Sequence, residues 1–109
     1  GNNLKLRRDL CRAGREVDDL AWPLPIHRDY KKKMESTIAD YRNDDTGSKR
    51  LAGSSKGAAF LEKFVEKLPF CHIDIGGTAF TDDPKKYQTK GATAHGFRLL
   101  LKFLQNRSG

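Results

Sequence analysis

The carboxylates of this chain stand out as adjacent pairs, Asp18-Asp19, Asp44-Asp45 and Asp82-Asp83. Two divalent metal ions that share an activated water need clustered carboxylates able to bridge them. Neighbouring side chains on a helix or an extended segment diverge, and none of these pairs has a histidine at ligand spacing. No metal site is expected from them. His72 and Asp74 are two residues apart in an apolar stretch, FCHIDI, so on a strand they would share a face and could share a hydrogen bond. A satisfied polar pair that fixes the strand is the reading taken, ahead of a pair supporting an active site. Gly76, Gly77, Thr78 and Ala79 follow that stretch, at the end of a strand where ligand sites of α/β sheets usually lie. Two glycines also suit a tight turn, and both readings can hold together.

The other reactive side chains read as structural. His27 and His95 stand alone, as helix-start or surface residues, and Trp22 is read as a core or interface anchor. Cys11 and Cys71 lie far apart and outside any metal or redox spacing. Reduced thiols are the expectation, with a single disulfide as the alternative and Cys71 as a small buried hydrophobe. Arg98 and Lys102 are read as a solvated or intersubunit stripe.

The elements that must position these residues follow from periodicity. Leu6, Leu10, Ala13, Val17 and Leu20 recur every three or four residues and predict a helix over Leu4 to Leu20, with Gly14 a weak point inside it. Pro23 and Pro25 end it. A short helix is predicted over His27 to Ser36, with Tyr30 and Met34 on one face. Tyr41 to Ser55 reads as a loop from its Asn, Asp, Gly and Ser content. A third helix is expected from Lys56 to Leu68, where Ala58, Phe60, Leu61, Phe64, Val65 and Leu68 make a broad apolar stripe before Pro69. Phe70 to Ile75 is predicted to be a buried strand, the stretch up to Lys90 a polar loop, and Thr93 to Asn106 the last helix, with Phe97, Leu100, Leu101 and Leu104 facing a core. Helix, strand, loop and helix in that order make an α/β unit. One strand makes no sheet, so the pattern points to a piece of a larger sheet or to an assembly that provides the remaining strands.

Composition sets the bounds. The 109 residues suffice for one small domain, and a 37% hydrophobic, 32% charged chain is balanced for a packed protein rather than a disordered tail. No apolar run approaches the roughly 20 residues that span a bilayer, and GNNLKLRRDL is no signal peptide, so no membrane role is expected. Net charge is +7, and no acid follows Asp83, whereas Lys85, Lys86, Lys90, Arg98, Lys102 and Arg107 do. Such a field can attract nucleic acid. Without interleaved aromatics or a nucleic-acid motif, a solvated or intersubunit face is the preferred reading.

Several blocks together resemble one family. AGREVDDLAWPLP (Ala13 to Pro25) is similar to the stretch in which the leucyl (cytosol) aminopeptidases of the M17 type run from an acidic segment into a Trp-x-Leu-Pro turn. Tyr30 and Ala39-Asp40 fall where that family places a Tyr and an Ala-Asp pair. GAAFLEKFV (Gly57 to Val65) looks like its small-residue-led helix, and HIDIGGTAF (His72 to Phe80) resembles its His-Leu-Asp-Ile-Ala-Gly-Thr-Ala-Trp segment. GATAHGFRLLLKFL (Gly91 to Leu104) resembles its Gly-Ala-Thr-Gly segment and final helix. The blocks keep family order and family-like gaps over nearly the whole chain. Gly76 replaces the family's usual Ala, Phe80 its Trp and Ala94 its Gly, with His95 following; Lys49 and Arg50 charge a loop that is Gly-rich in relatives.

The resemblance implies the C-terminal part of an α/β metallo-aminopeptidase catalytic domain across residues 1–109, three to four helices around one or two strands. It implies a cytoplasmic parent, a homo-hexamer, that removes N-terminal residues such as Leu from peptides with two divalent ions, Zn or Mn. The family's metal ligands, including those of an Asn-Thr-Asp-Ala-Glu-Gly-Arg motif, are expected N-terminal to residue 1. This segment would add scaffold, contacts to the rest of the catalytic domain, and one wall of the substrate pocket through Gly76 and Ala79. No catalytic residue and no metal ligand is expected here, and the chain alone is expected to be inactive. The alternatives are a small basic nucleic-acid-binding module and a degenerate, non-catalytic scaffolding paralogue.

Overall fold

A computed structural model describes residues 1–43, 52–84 and 88–108. Among these residues the chain forms helices α1 (Leu4–Glu16), α2 (Arg28–Lys32), α3 (Gly53–Glu62) and α4 (Phe97–Ser108), with strands β1 (Phe80–Thr81) and β2 (Gly91–Ala92). Four helices and a two-stranded sheet agree with the α/β class read from the sequence. The chain divides into two compact units, one of Gly1–Leu6 with Pro23–His72, the other of Arg7–Trp22 with Ile73–Gly109.

In the first unit α2 packs against α3, with Met34, Ala58 and Ala59 buried. His27 caps α2: its Nδ1 accepts the backbone N–H of Asp29 at 3.3 Å, as the sequence position implied. Lys31 Nζ and Glu62 Oε2 form an ion pair at 2.7 Å between the two helices, without hydrogen-bond directionality at that oxygen. Tyr41 and Phe60 each meet the ring of Phe64 edge to face. Asn2 fastens the far end of the unit. Its backbone N–H donates to Phe70 O, its side-chain amide to Leu68 O, and its Oδ1 accepts from Phe70 N.

The second unit takes its core from Leu10, Ala13 and Leu99, with Leu99 fully buried. β1 and β2 are antiparallel, pairing Phe80 with Ala92 and Thr81 with Gly91.

Asn3 starts α1 by accepting the Leu6 N–H at 2.8 Å. The helix stops at Glu16, four residues before the expected Leu20. Asp18 turns left-handed at φ 52°, and Asp19 N–H reaches back to Gly14 O at 2.9 Å. That is a Schellman ending, with aspartate in the position glycine usually takes. Residues 53–55, expected in a loop, open α3; the rest of that loop from 44 to 51 lies outside the described residues. α3 closes at Glu62 rather than Leu68, because the chain tightens into three-residue turns and Glu66 takes φ 51°. Phe64 and Leu68 are therefore exposed. α2 is shorter than predicted, and α4 begins at Phe97 rather than Thr93.

The predicted strand Phe70 to Ile75 is a correction. Among the described residues it joins no ladder, and Ile75 is 41% exposed. β-propensity needs a neighbour to pair with, and the two strands that do pair come from the predicted polar loop and from the two residues just before the predicted last helix. Trp22, read as a core or interface anchor, is 89% exposed, which corrects the core alternative alone. Cys71 is half-buried rather than buried, as is Cys11, and no disulfide joins them.

Candidate functional site

The Gly76–Ala79 segment is a turn built on one carbonyl. Ile75 O accepts the N–H groups of Thr78 at 2.9 Å and Ala79 at 2.8 Å, and the Thr78 hydroxyl at 3.4 Å. Asp74 Oδ1 accepts Gly76 N–H at 2.8 Å, closing the front of the turn. Asp74 is thus engaged in the turn. Gly76, Gly77 and Thr78 are exposed, and Ala79 is half-buried. A methyl group on Gly77 would meet nothing within 4 Å, whereas one on Gly76 would stand 3.1 Å from Asp74 Oδ1. The outer side of the turn is open.

Behind the turn lies Thr93, just after β2. Its N–H donates to Ala79 O at 2.9 Å, and its hydroxyl donates a short hydrogen bond to Thr78 O. The same hydroxyl accepts His95 N–H at 3.3 Å. Two residues further on the chain meets a buried carboxylate. Asp19 is 3% exposed, and both its oxygens accept Gly96 N–H, at 3.1 and 3.0 Å; Oδ2 also accepts Leu99 N–H at 3.1 Å. His95 Nδ1 lies 3.3 Å from Asp19 Oδ1. A carboxylate at the first turn of α4 satisfies N–H groups that have no partner within the helix and suits the positive end of its dipole.

Gly76 and Ala79, the two pocket candidates, therefore sit on one short turn. Asp18 and Asp19 diverge, with Asp18 exposed and Asp19 buried. Asp82 is exposed and lies 3.5 Å from Lys90 Nζ, and Asp83 N–H bonds to Thr81 Oγ1; Asp44 and Asp45 lie outside the described residues. Among the described residues no three His, Cys, Asp or Glu side chains are grouped to hold a metal ion. Arg98 and Lys102, read as a solvated or intersubunit stripe, are tied within their own unit. Arg98 Nη2 donates to Asp18 O, and Lys102 Nζ lies 3.5 Å from Glu16 Oε2. His95, read as a helix-start or surface residue, lies just before α4 and is half-buried against Asp19. Asp19 was read only as one of an adjacent carboxylate pair and Thr93 only as the start of the last helix, and no local signal marks the bonds they make.

The family follows from comparison. A model described as the cytosol aminopeptidase family, catalytic domain, matches residues 1–101. The chain belongs to that family. It is 48% identical over 106 residues to a probable cytosol aminopeptidase of Roseiflexus castenholzii, covering 96% of this chain and 21% of that protein. A probable cytosol aminopeptidase of Protochlamydia amoebophila is 38% identical over 105 residues, with 95% and 20% covered. A cytosol aminopeptidase of Buchnera aphidicola is 40% identical over 107 residues, with 98% and 20% covered. The chain spans about a fifth of the length of the curated relatives it matches.

Proposed function

We propose that this chain is the C-terminal portion of the catalytic domain of a leucyl aminopeptidase, and that within the parent protein it is scaffold and one wall of the substrate pocket. The observation that carries the reading is the family match across residues 1–101, joined to the blocks HIDIGGTAF and GATAHGFRLLLKFL, which meet through Thr93 at the turn. Gly76 and Ala79 border the pocket that receives the side chain of the substrate's N-terminal residue, and their small size leaves room for a branched or long one. The substrates are peptides, and the parent works as a cytoplasmic hexamer.

The family implies two divalent metal ions. The donors described here do not fit such a site, because the carboxylates are paired in sequence but dispersed in space, so no chemical step is assigned to this segment. Its part is to shape and orient.

The test has two arms. The 109-residue chain, incubated with leucyl-p-nitroanilide and Mn²⁺ or Zn²⁺, is expected to show no turnover. The reading frame upstream of Asn2 is expected to encode the Asn-Thr-Asp-Ala-Glu-Gly-Arg motif, and the complete protein to cleave the same substrate. Turnover by the chain alone, or a frame that starts at Asn2, overturns the proposal.

A further inference from the structure

A threonine hydroxyl has one proton to give and two lone pairs to receive with. At Thr93 the proton goes to Thr78 O, and a lone pair takes His95 N–H at 3.3 Å. The backbone N–H of the same residue holds Ala79 O at 2.9 Å. Thr93 therefore grips two consecutive carbonyls of the turn that carries Gly76 and Ala79. Its own position is fixed from the other side. His95 and Gly96 lead into α4, where Asp19 holds the N–H groups of Gly96 and Leu99 and Phe97 N–H bonds to Ala94 O. The ladder beside it is short, since β1 and β2 are two residues long each. In so short a ladder one side-chain hydrogen bond is a large share of what keeps the segment in register.

We propose that Thr93 is a positioning residue for substrate selection: it fixes the distance of Gly76 and Ala79 from the side chain of the substrate's N-terminal residue. The inference rests on the pocket role given to those two residues above. Thr93 touches no reacting atom, so its removal loosens the fit of the side chain and leaves the chemical step alone.

The complete enzyme carries the test, with Thr93→Val removing the hydroxyl at constant shape and Thr93→Ser restoring it. The substrates are alanyl-, leucyl- and phenylalanyl-p-nitroanilide. T93V is expected to raise KM for the leucyl substrate about three- to tenfold, the worth of one hydrogen bond, with kcat within about twofold. The leucyl-over-alanyl preference narrows by a similar factor, and T93S returns both to near wild type. Unchanged KM and preference in T93V, or an equal fall in kcat for all three substrates, overturns the inference and leaves the aminopeptidase reading standing. Wild-type enzyme inactive on all three overturns that reading, and this one with it. Hydrogen exchange measured in the same enzyme is the second readout: the Thr78 and Ala79 amides are expected to exchange faster in T93V, and unchanged exchange overturns the inference. Should T93V not fold, Thr93→Ala, which also removes the hydroxyl, carries the same comparisons.

Discussion

Ala94 holds its backbone at φ 54°, a region where a methyl group costs roughly 1–2 kcal/mol. Glycine relieves that strain but adds about 0.4–1 kcal/mol of unfolded-chain entropy. The first effect is the larger, so Ala94→Gly is expected to stabilise the chain by up to about 1 kcal/mol, read as a rise in Tm of several degrees. The resemblance had marked this position as one where relatives carry Gly, and the backbone angle supplies the reason. Asp19 is the opposite case. Asp19→Asn puts an amide group against N–H donors that now share two carboxylate oxygens, and is expected to cost about 2 kcal/mol in urea unfolding. Its importance was not legible in the sequence. Asp18 and Asp19 are the same residue side by side, and what separates them is a left-handed turn and partners 77 and 80 residues away.

At the scale of elements, periodicity located all four helices and misjudged their ends. Apolar spacing reports which face is buried, whereas ends are set by caps such as Asn3, His27 and the left-handed Asp18. The apolar run of FCHIDI has a strand's composition, but composition does not supply the neighbouring strand that a ladder needs. Gly14 shows how packing overrides propensity. Alanine there would favour a helix by about 1 kcal/mol, but its Cβ would lie 2.5 Å from Asp19 O and 2.9 Å from Leu99 Cδ1. Overpacking against backbone costs about 1–3 kcal/mol, so Gly14→Ala is expected to lower Tm. Between α1 and α4, the hydrogen bond from the Asn106 amide holds the Glu16 carboxyl below its ordinary pKa, against an opposing pull from desolvation and with help from the Lys102 charge. The folded-state value is the depressed one, so this contribution to stability is present above the ordinary carboxylate range and fades as pH falls through the folded value. Asn106→Ala is expected to move the Glu16 titration upward, as followed by NMR.

At the scale of the molecule, α4 carries two apolar faces. Leu99 is buried, while Phe97, Leu100, Leu101 and Leu104 are exposed at a spacing that puts them on one side of the helix. The sequence marked these four as core-facing, which the described chain does not bear out. A strip of this kind is unusual on a self-sufficient surface, and the chain covers about a fifth of its relatives' length. The isolated chain is expected to bind the dye ANS and to self-associate with rising concentration, and Leu101→Lys to reduce both, as read by fluorescence and light scattering. What the sequence could establish at this scale was kinship, because ordered blocks survive in a segment even when the rest of the protein lies elsewhere. The bond from Asp19 to Gly96 has one more consequence, which concerns time. Residues 23–72 belong to the other unit, so the unit that Asp19 anchors is interrupted along the chain. Closing so long a loop is entropically costly until the final contacts reward it. During synthesis Gly96 and Leu99 emerge 77 and 80 residues after Asp19, so the contacts that Asp19 anchors form only once that whole stretch has followed it.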